Sequence, residues 1–234
     1  MKEESPRAAH VPGEQIDHRG DRETEATIAY RYELIRKAIH LGSLSIPIIY
    51  SFISKQEALR LLIPVTAWFL LVDIGRYYFP PVADLFYRTF GWLLRKKELD
   101  AQTKRLNGAT NILLSACLCV ALFPRIITIT AFSILIISDS TSALVGRKYG
   151  RRKFFNKSLE GSLAFLISAM LVVLVTPKIQ SHPLEFAAGF IGAVVGTVFE
   201  ALPVGIDDNI SVPVSVGAVM WGFYAVFLPS FNLS

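Results

Sequence analysis

The chain has 234 residues, 52% of them hydrophobic, with a mean hydropathy of +0.44 and a formal charge of +5. That is too apolar for an ordinary soluble domain. Its charge gathers in clusters between apolar stretches, so membrane topology accounts for it better than a nucleic-acid partner does.

Residues 1–30 are polar, rich in charge and without an apolar leader core, which predicts a disordered cytoplasmic tail carrying His10 and His18. From 31 to 234 one membrane-embedded unit is expected. It is all-α, with about seven spans near 34–53, 57–78, 108–123, 126–145, 161–177, 183–202 and 212–229. Between the second and third, residues 82–99 place Val82, Leu85, Phe86, Phe90 and Leu93 on one helical face. Asp84, Arg88, Arg95 and Lys96 lie mainly elsewhere, as in an interfacial amphipathic helix. No strand signal is visible. Cys117 and Cys119 sit in one apolar run and read as core- or lipid-facing.

Twenty of the 24 lysines and arginines fall in the N-terminal region, in 76–107 and in 147–157. Lys55, Arg60, Arg125 and Lys178 fall on the other side. The positive-inside rule then puts the N-terminus in the cytoplasm, the C-terminus outside and every unusual polar cluster at the cytoplasmic face.

Five clusters carry the chemistry. In YRYELIRKAIHLG, Glu33, Arg36, Lys37 and His40 neighbour one another on a helix, and the last three enter an apolar span where ionisable groups are costly. Asp73 and Arg76, at i and i+3, suggest a structural ion pair. In KRLNGAT, Asn107 and Gly108 are placed to cap the next helix. In SDSTSALVGRKYGRRKFFNKSLEGS, Asp139 marks the expected end of a span. Gly146 and Gly150 bracket Arg147, Lys148 and Tyr149, more cations follow through Lys157, and the segment from Ser158 to Ser162, with Glu160 and Gly161, opens the next helix. A glycine turn with exposed N–H groups, cations and a helix N-terminus can hold polyphosphate, and an adjacent carboxylate can hold a bridging metal. In FEALPVGIDDNISVP, Glu200 ends a span, and Asp207, Asp208 and Asn209 present three oxygen-bearing side chains suited to a hard cation.

Taken together and in this order, ELIRKAIHLG, KRLNGAT, SDSTSALVGRKYG, KSLEGS and EALPVGIDDNISVP resemble the CTP-dependent lipid kinases, a family that includes dolichol kinase, phytol kinase and the fungal-type diacylglycerol kinase. The resemblance covers nearly all of Glu33 to Pro213. It implies transfer of the terminal phosphoryl group of CTP, or another nucleoside triphosphate, to the hydroxyl of a lipid such as phytol, a polyprenol or diacylglycerol. It implies nucleotide contacts from Arg36, Lys37, Gly146, Arg147, Lys148, Gly150, Lys157, Ser158, Glu160 and Gly161. Magnesium or manganese is expected on Asp139, Asp207, Asp208 and Asn209. Asp139, Glu200 and His40 are the candidates for orienting or deprotonating the acceptor, with Lys157 on the phosphates. The alternatives are a cytidylyltransferase that forms CDP-lipids and a non-enzymatic anion transporter.

Overall fold

A computed structural model describes residues 32, 34–94 and 104–231. The expected tail over 1–30, Glu33, and the Arg95 and Lys96 end of the amphipathic segment lie outside the described residues, as does the side chain of Leu93.

The first expected span is two helices, α1 over 34–42 and α2 over Ser45–Tyr50. Pro47 has no N–H to offer the Ser43 carbonyl. The chain turns there instead, with Ser43 N–H donating to His40 O and Ile46 N–H to Ser43 O, both at 3.0 Å. Helix α3, Lys55–Gly75, starts from a capping box in which Ser54 Oγ accepts the Glu57 N–H and Glu57 accepts the Ser54 N–H. Helix α4, Pro80–Phe90, is the amphipathic segment and runs into a 3-10 turn over Gly91–Leu93. Phe86 is buried, but Leu85, expected beside it, is exposed. Adjacent helix positions stand about 100° apart, and only the Phe86 side meets protein.

Next come α5, Gly108–Leu122, and α6, Arg125–Tyr149, followed by β1, Lys153–Phe154, and β2, Lys157–Ser158. Then follow α7, Leu159–Val175, α8, Pro183–Ala201, and α9, Asp208–Phe227. Four of these, α3, α6, α8 and α9, are long and apolar enough to cross a membrane; α5 and α7 are shorter apolar helices.

Three boundaries differ from expectation. Helix α6, expected over 126–145, continues through Gly146 to Tyr149, leaving Asp139 about 15 Å below its end at about 1.5 Å per residue. The polar run there does not break the helix, because Ser140 and Thr141 donate to Ile136 O and Ile137 O at 2.7 and 2.8 Å. Helix α9 starts at Asp208 because Asp207 caps it, accepting the Asn209 N–H at 3.0 Å. Finally, β1 and β2 form a short antiparallel hairpin, Lys153 opposite Ser158 and Phe154 opposite Lys157. Its turn holds Phe155 at φ +49° and is pinned by Asn156 N–H donating to Ala201 O, at the end of α8.

Helix α6 is the hub, packed against α2, α5, α7, α8 and α9. Ile127, Ala131, Phe132, Leu135 and Ile136 fill the core around it. Close packing between α8 and α9 rests on small residues: a Cβ at Gly196 would stand 2.8 Å from Val216 Cγ2, and one at Gly192 3.1 Å from Met220. On the other flank, α3 packs on α5 and is otherwise largely uncovered. Thr66 and Cys117 meet there at 3.1 Å, and both cysteines are free thiols.

Candidate active site

The polar clusters, distant in sequence, meet at one end of the bundle. Helix α1 brings Lys37 and His40, both buried, to Asp139 of α6. Lys37 Nζ donates to Asp139 Oδ2 and, at 3.3 Å, to the Asp139 carbonyl, and His40 Nε2 lies 3.4 Å from Oδ2. A buried ion pair of this kind is costly to break, on the order of 3–5 kcal/mol when one partner is removed. Lys37 and His40 therefore belong to the protein interior rather than snorkelling to a boundary.

The hairpin supplies the second half. Its turn sits on the end of α8, which carries β2 over Glu200. Lys157 Nζ lies 3.0 Å from Glu200 Oε1 and 2.9 Å from Asp208 Oδ2. Burial alone would lower the Lys157 pKa, but the carboxylates of Asp208, Glu200 and Asp139 outweigh it and hold the ammonium above the usual lysine range. That field also joins the two halves, because Asp139 is within electrostatic reach of Lys157.

Glu200 packs against Lys157 and away from the surface. It is 1% exposed and does not line the cavity described below. Ser142 donates to its Oε1 at 2.9 Å, while Oε2 has no hydrogen-bond partner among the described residues. The Ser142 contact was not visible in sequence, where Ser142 reads only as a small residue on the Asp139 face.

The glycine segment also differs from expectation. Its N–H groups are spent within the protein: Gly150 donates to Gly146 O at 3.0 Å, and Arg151 and Arg152 donate to the Glu160 carboxylate at 3.1–3.4 Å. Ser158 Oγ caps α7 by accepting the Gly161 N–H at 3.1 Å. The glycines serve a close crossing of α6 and α7. A Cβ at Gly161 would come within 3.3 Å of Gly146 Cα, and one at Gly150 within 2.8 Å of Ser158 Oγ. The cationic side chains of Arg147 and Lys148 stand exposed beside this crossing.

Asp73 and Arg76 are structural, as their spacing suggests. Both are buried, Arg76 Nε lies 2.8 Å from Asp73 Oδ1, and Asp73 Oδ2 accepts the Asn107 N–H at 2.7 Å. Asn107 in turn caps α5 by accepting the Thr110 N–H at 3.0 Å. Asp207 and Asn209 are likewise engaged with each other, Asn209 Nδ2 donating to Asp207 Oδ1 at 2.7 Å. Among the described residues no three His, Cys, Asp or Glu side chains are grouped to hold one metal ion.

A cavity of about 600 Å³ opens from this polar end. Arg36, Lys37, His40, Asp139, Asp207, Asp208 and Asn209 line its head. Its body is apolar, with Ile46, Trp68, Phe69, Phe86, Phe90 and Ile112 in its walls. None of these wall residues is singled out in sequence as part of a pocket, because α2, α3, α4 and α5 each contribute only one or two of them.

Among known proteins, the chain is 30% identical over 188 residues to an uncharacterized protein of Rickettsia prowazekii, covering 80% of this chain and 92% of that one. It is 28% identical over 231 residues to CTP-dependent diacylglycerol kinase 1 of Saccharomyces cerevisiae, covering 88% of this chain and 78% of the yeast protein. The same enzyme of Schizosaccharomyces pombe matches at 28% over 163 residues, 64% of this chain and 73% of that one. The chain belongs to the CTP-dependent lipid kinase family. No family model matches the chain, and no solved structure does either. The five motifs that carry the family resemblance include those that supply Lys37, His40, Asp139, Lys157, Glu200 and Asp208 to this one site.

Proposed function

We propose that this protein transfers the terminal phosphoryl group of CTP to the hydroxyl of a membrane lipid, with diacylglycerol as the first acceptor to test. Family membership makes it a phosphotransferase acting on a lipid alcohol. The observation that carries the mechanism is a carboxylate, Asp139, at the junction of an apolar cavity and a cluster of cations.

Phosphoryl transfer asks a protein mainly to position two reactants and to neutralise charge. The lipid hydroxyl rests at the head of the cavity, beside Asp139 and His40. Asp139 orients it and His40 takes its proton; Glu200 holds Lys157 instead of touching the acceptor. Lys157, Arg147 and Lys148 face the triphosphate, with Arg36 and Lys37 at the inner side. The contacts come from cationic side chains rather than from the glycine backbone, whose N–H groups are engaged. The nucleotide arrives from the cytoplasm and the N-terminus lies on that side, in keeping with the charge distribution.

Carboxylate oxygens are the donor type that magnesium or manganese requires. Asp139 and Asp208 would hold the ion, with Asp207 and Asn209 beside them. Lys37 pairs with Asp139 and Lys157 with Asp208. When bound, the ion supplies further neutralisation of the phosphate charge.

The decisive assay incubates purified protein with CTP and a panel of lipid alcohols. Release of CDP with a phosphorylated lipid is expected. Release of pyrophosphate with a CDP-lipid would replace the kinase by a cytidylyltransferase.

A further inference from the structure

Resting on that reading, we infer that the lipid acceptor enters sideways from the bilayer through a gap between α1, α3 and α4, and that Trp68 and Phe69 at its rim select the acceptor's hydrocarbon part. Four apolar residues line the cavity and yet keep much of their surface uncovered: Ile39 at 55%, Trp68 at 66%, Phe69 at 40% and Phe90 at 48%. A side chain that lines a cavity and is also half uncovered sits on the edge of an opening. All four edges are apolar and belong to the three flanking elements. On a membrane-spanning helix such as α3, the uncovered surface faces hydrocarbon rather than water.

The opposite end of the same cavity is polar, with Lys37 and His40 buried and Asp139 partly so. Trp68 lies five residues before Asp73, which accepts the N–H of Asn107, another residue lining the cavity. At about 1.5 Å per residue the indole stands about 8 Å from that level along α3. A ligand that satisfies both ends has a hydroxyl head and a chain leaving past Trp68 into the bilayer. A water-soluble alcohol would leave the apolar walls uncovered, so the occupant is the chain of a bilayer-resident lipid.

The cavity is small beside a whole two-chain lipid, so only the head and the first part of a chain lie inside it. The rim aromatics therefore meet the chain where a single isoprenoid chain and a branched diacylglycerol differ most in width. Removing the Trp68 indole widens that passage.

The test combines selectivity with a readout that does not need turnover. For Trp68→Ala, kcat/KM for diacylglycerol relative to a single-chain prenyl alcohol is expected to rise by about tenfold, the size of a pocket-shape effect. KM for CTP is expected to stay unchanged. Phe69→Ala is expected to move the ratio the same way by less. Leu71→Ala, on the same helix but exposed and not lining the cavity, is expected to leave it unchanged. In parallel, diacylglycerol carrying a diazirine on one acyl chain is photolysed with wild-type protein in vesicles without CTP, and labelled residues are mapped. Label concentrated on 68–69 and 39, reduced by excess unlabelled diacylglycerol, supports the portal. Label spread over the outer faces of α7 and α8 with no competition, or an unchanged selectivity ratio in Trp68→Ala, overturns it. If competable label reaches 68–69 but no lipid is phosphorylated, the portal stands and the kinase reading fails; phosphorylation without such label has the reverse meaning.

Discussion

Helices α3 and α6 are of similar length and similarly apolar, yet the structure treats them oppositely. Within the most apolar stretch of each, 78% of α6 is buried inside the protein and only 17% of α3 is. The buried helix carries Asp139 of the candidate site, and the peripheral one carries the aromatic wall of a cavity. In lipid there is no hydrophobic force to bury one apolar helix rather than another, so small residues, hydrogen bonds and fit decide. Helix α6 offers serines, threonines and Gly146 to its neighbours, and its Asp139 is affordable because Lys37 and His40 reach it. Helix α3 offers Leu61, Trp68 and Leu71 outward.

This contrast can be broken most severely at Asp139. Asp139→Asn is expected to lower kcat by about a hundredfold or more, comparable to losing one group that stabilises transition-state charge. It also strands the Lys37 ammonium, so thermal stability in detergent should fall. Adding Lys37→Met to Asp139→Asn should restore much of the stability and none of the activity. Recovery of turnover in the double variant would remove Asp139 from the chemistry.

Core against periphery gives the next effect. Leu135→Ala, at a fully buried position of α6, is expected to cost about 2–5 kcal/mol, whereas Leu71→Ala, on the uncovered side of α3, should stay within about 0.5 kcal/mol. Unfolding in mixed micelles compares the two directly, and equal losses would mean that the two helices are equally packed.

The smallest expected effect concerns pH. The Lys157 pKa is raised in the folded protein, so the stability it contributes is fully present below the ordinary lysine value. That contribution is lost only as pH rises through the elevated one. Between neutrality and about pH 10, deprotonation of Lys157 should remove neither stability nor phosphate binding. An alkaline loss of activity in that window which persists in Lys157→Arg belongs to another group; one abolished by that change would show that Lys157 titrates normally.

Much of the candidate site was legible in sequence because its side chains are chemically expensive. A histidine and a lysine inside an apolar stretch, an aspartate among serines and a paired aspartate after a proline-containing turn each invite a partner. What stayed hidden was the division of labour among them. Glu200 reads as a candidate for touching substrate, and the fold buries it in contact with Lys157 and Ser142. Gly146, Gly150 and Gly161 read as a phosphate-binding turn, yet they let α6 and α7 cross closely. Glycine spacing reports close approach without saying what approaches.

The amino-acid sequence by itself determined the all-α membrane character and the family, because hydropathy and five ordered motifs are local properties of the chain. Only the tertiary structure decided that Asp139 meets Lys37, that Asp208 meets Lys157, and that α1, α3, α4 and α5 enclose a cavity. Those facts depend on which faces of separate helices touch, and helices of equal apolarity carry no local mark of their neighbours.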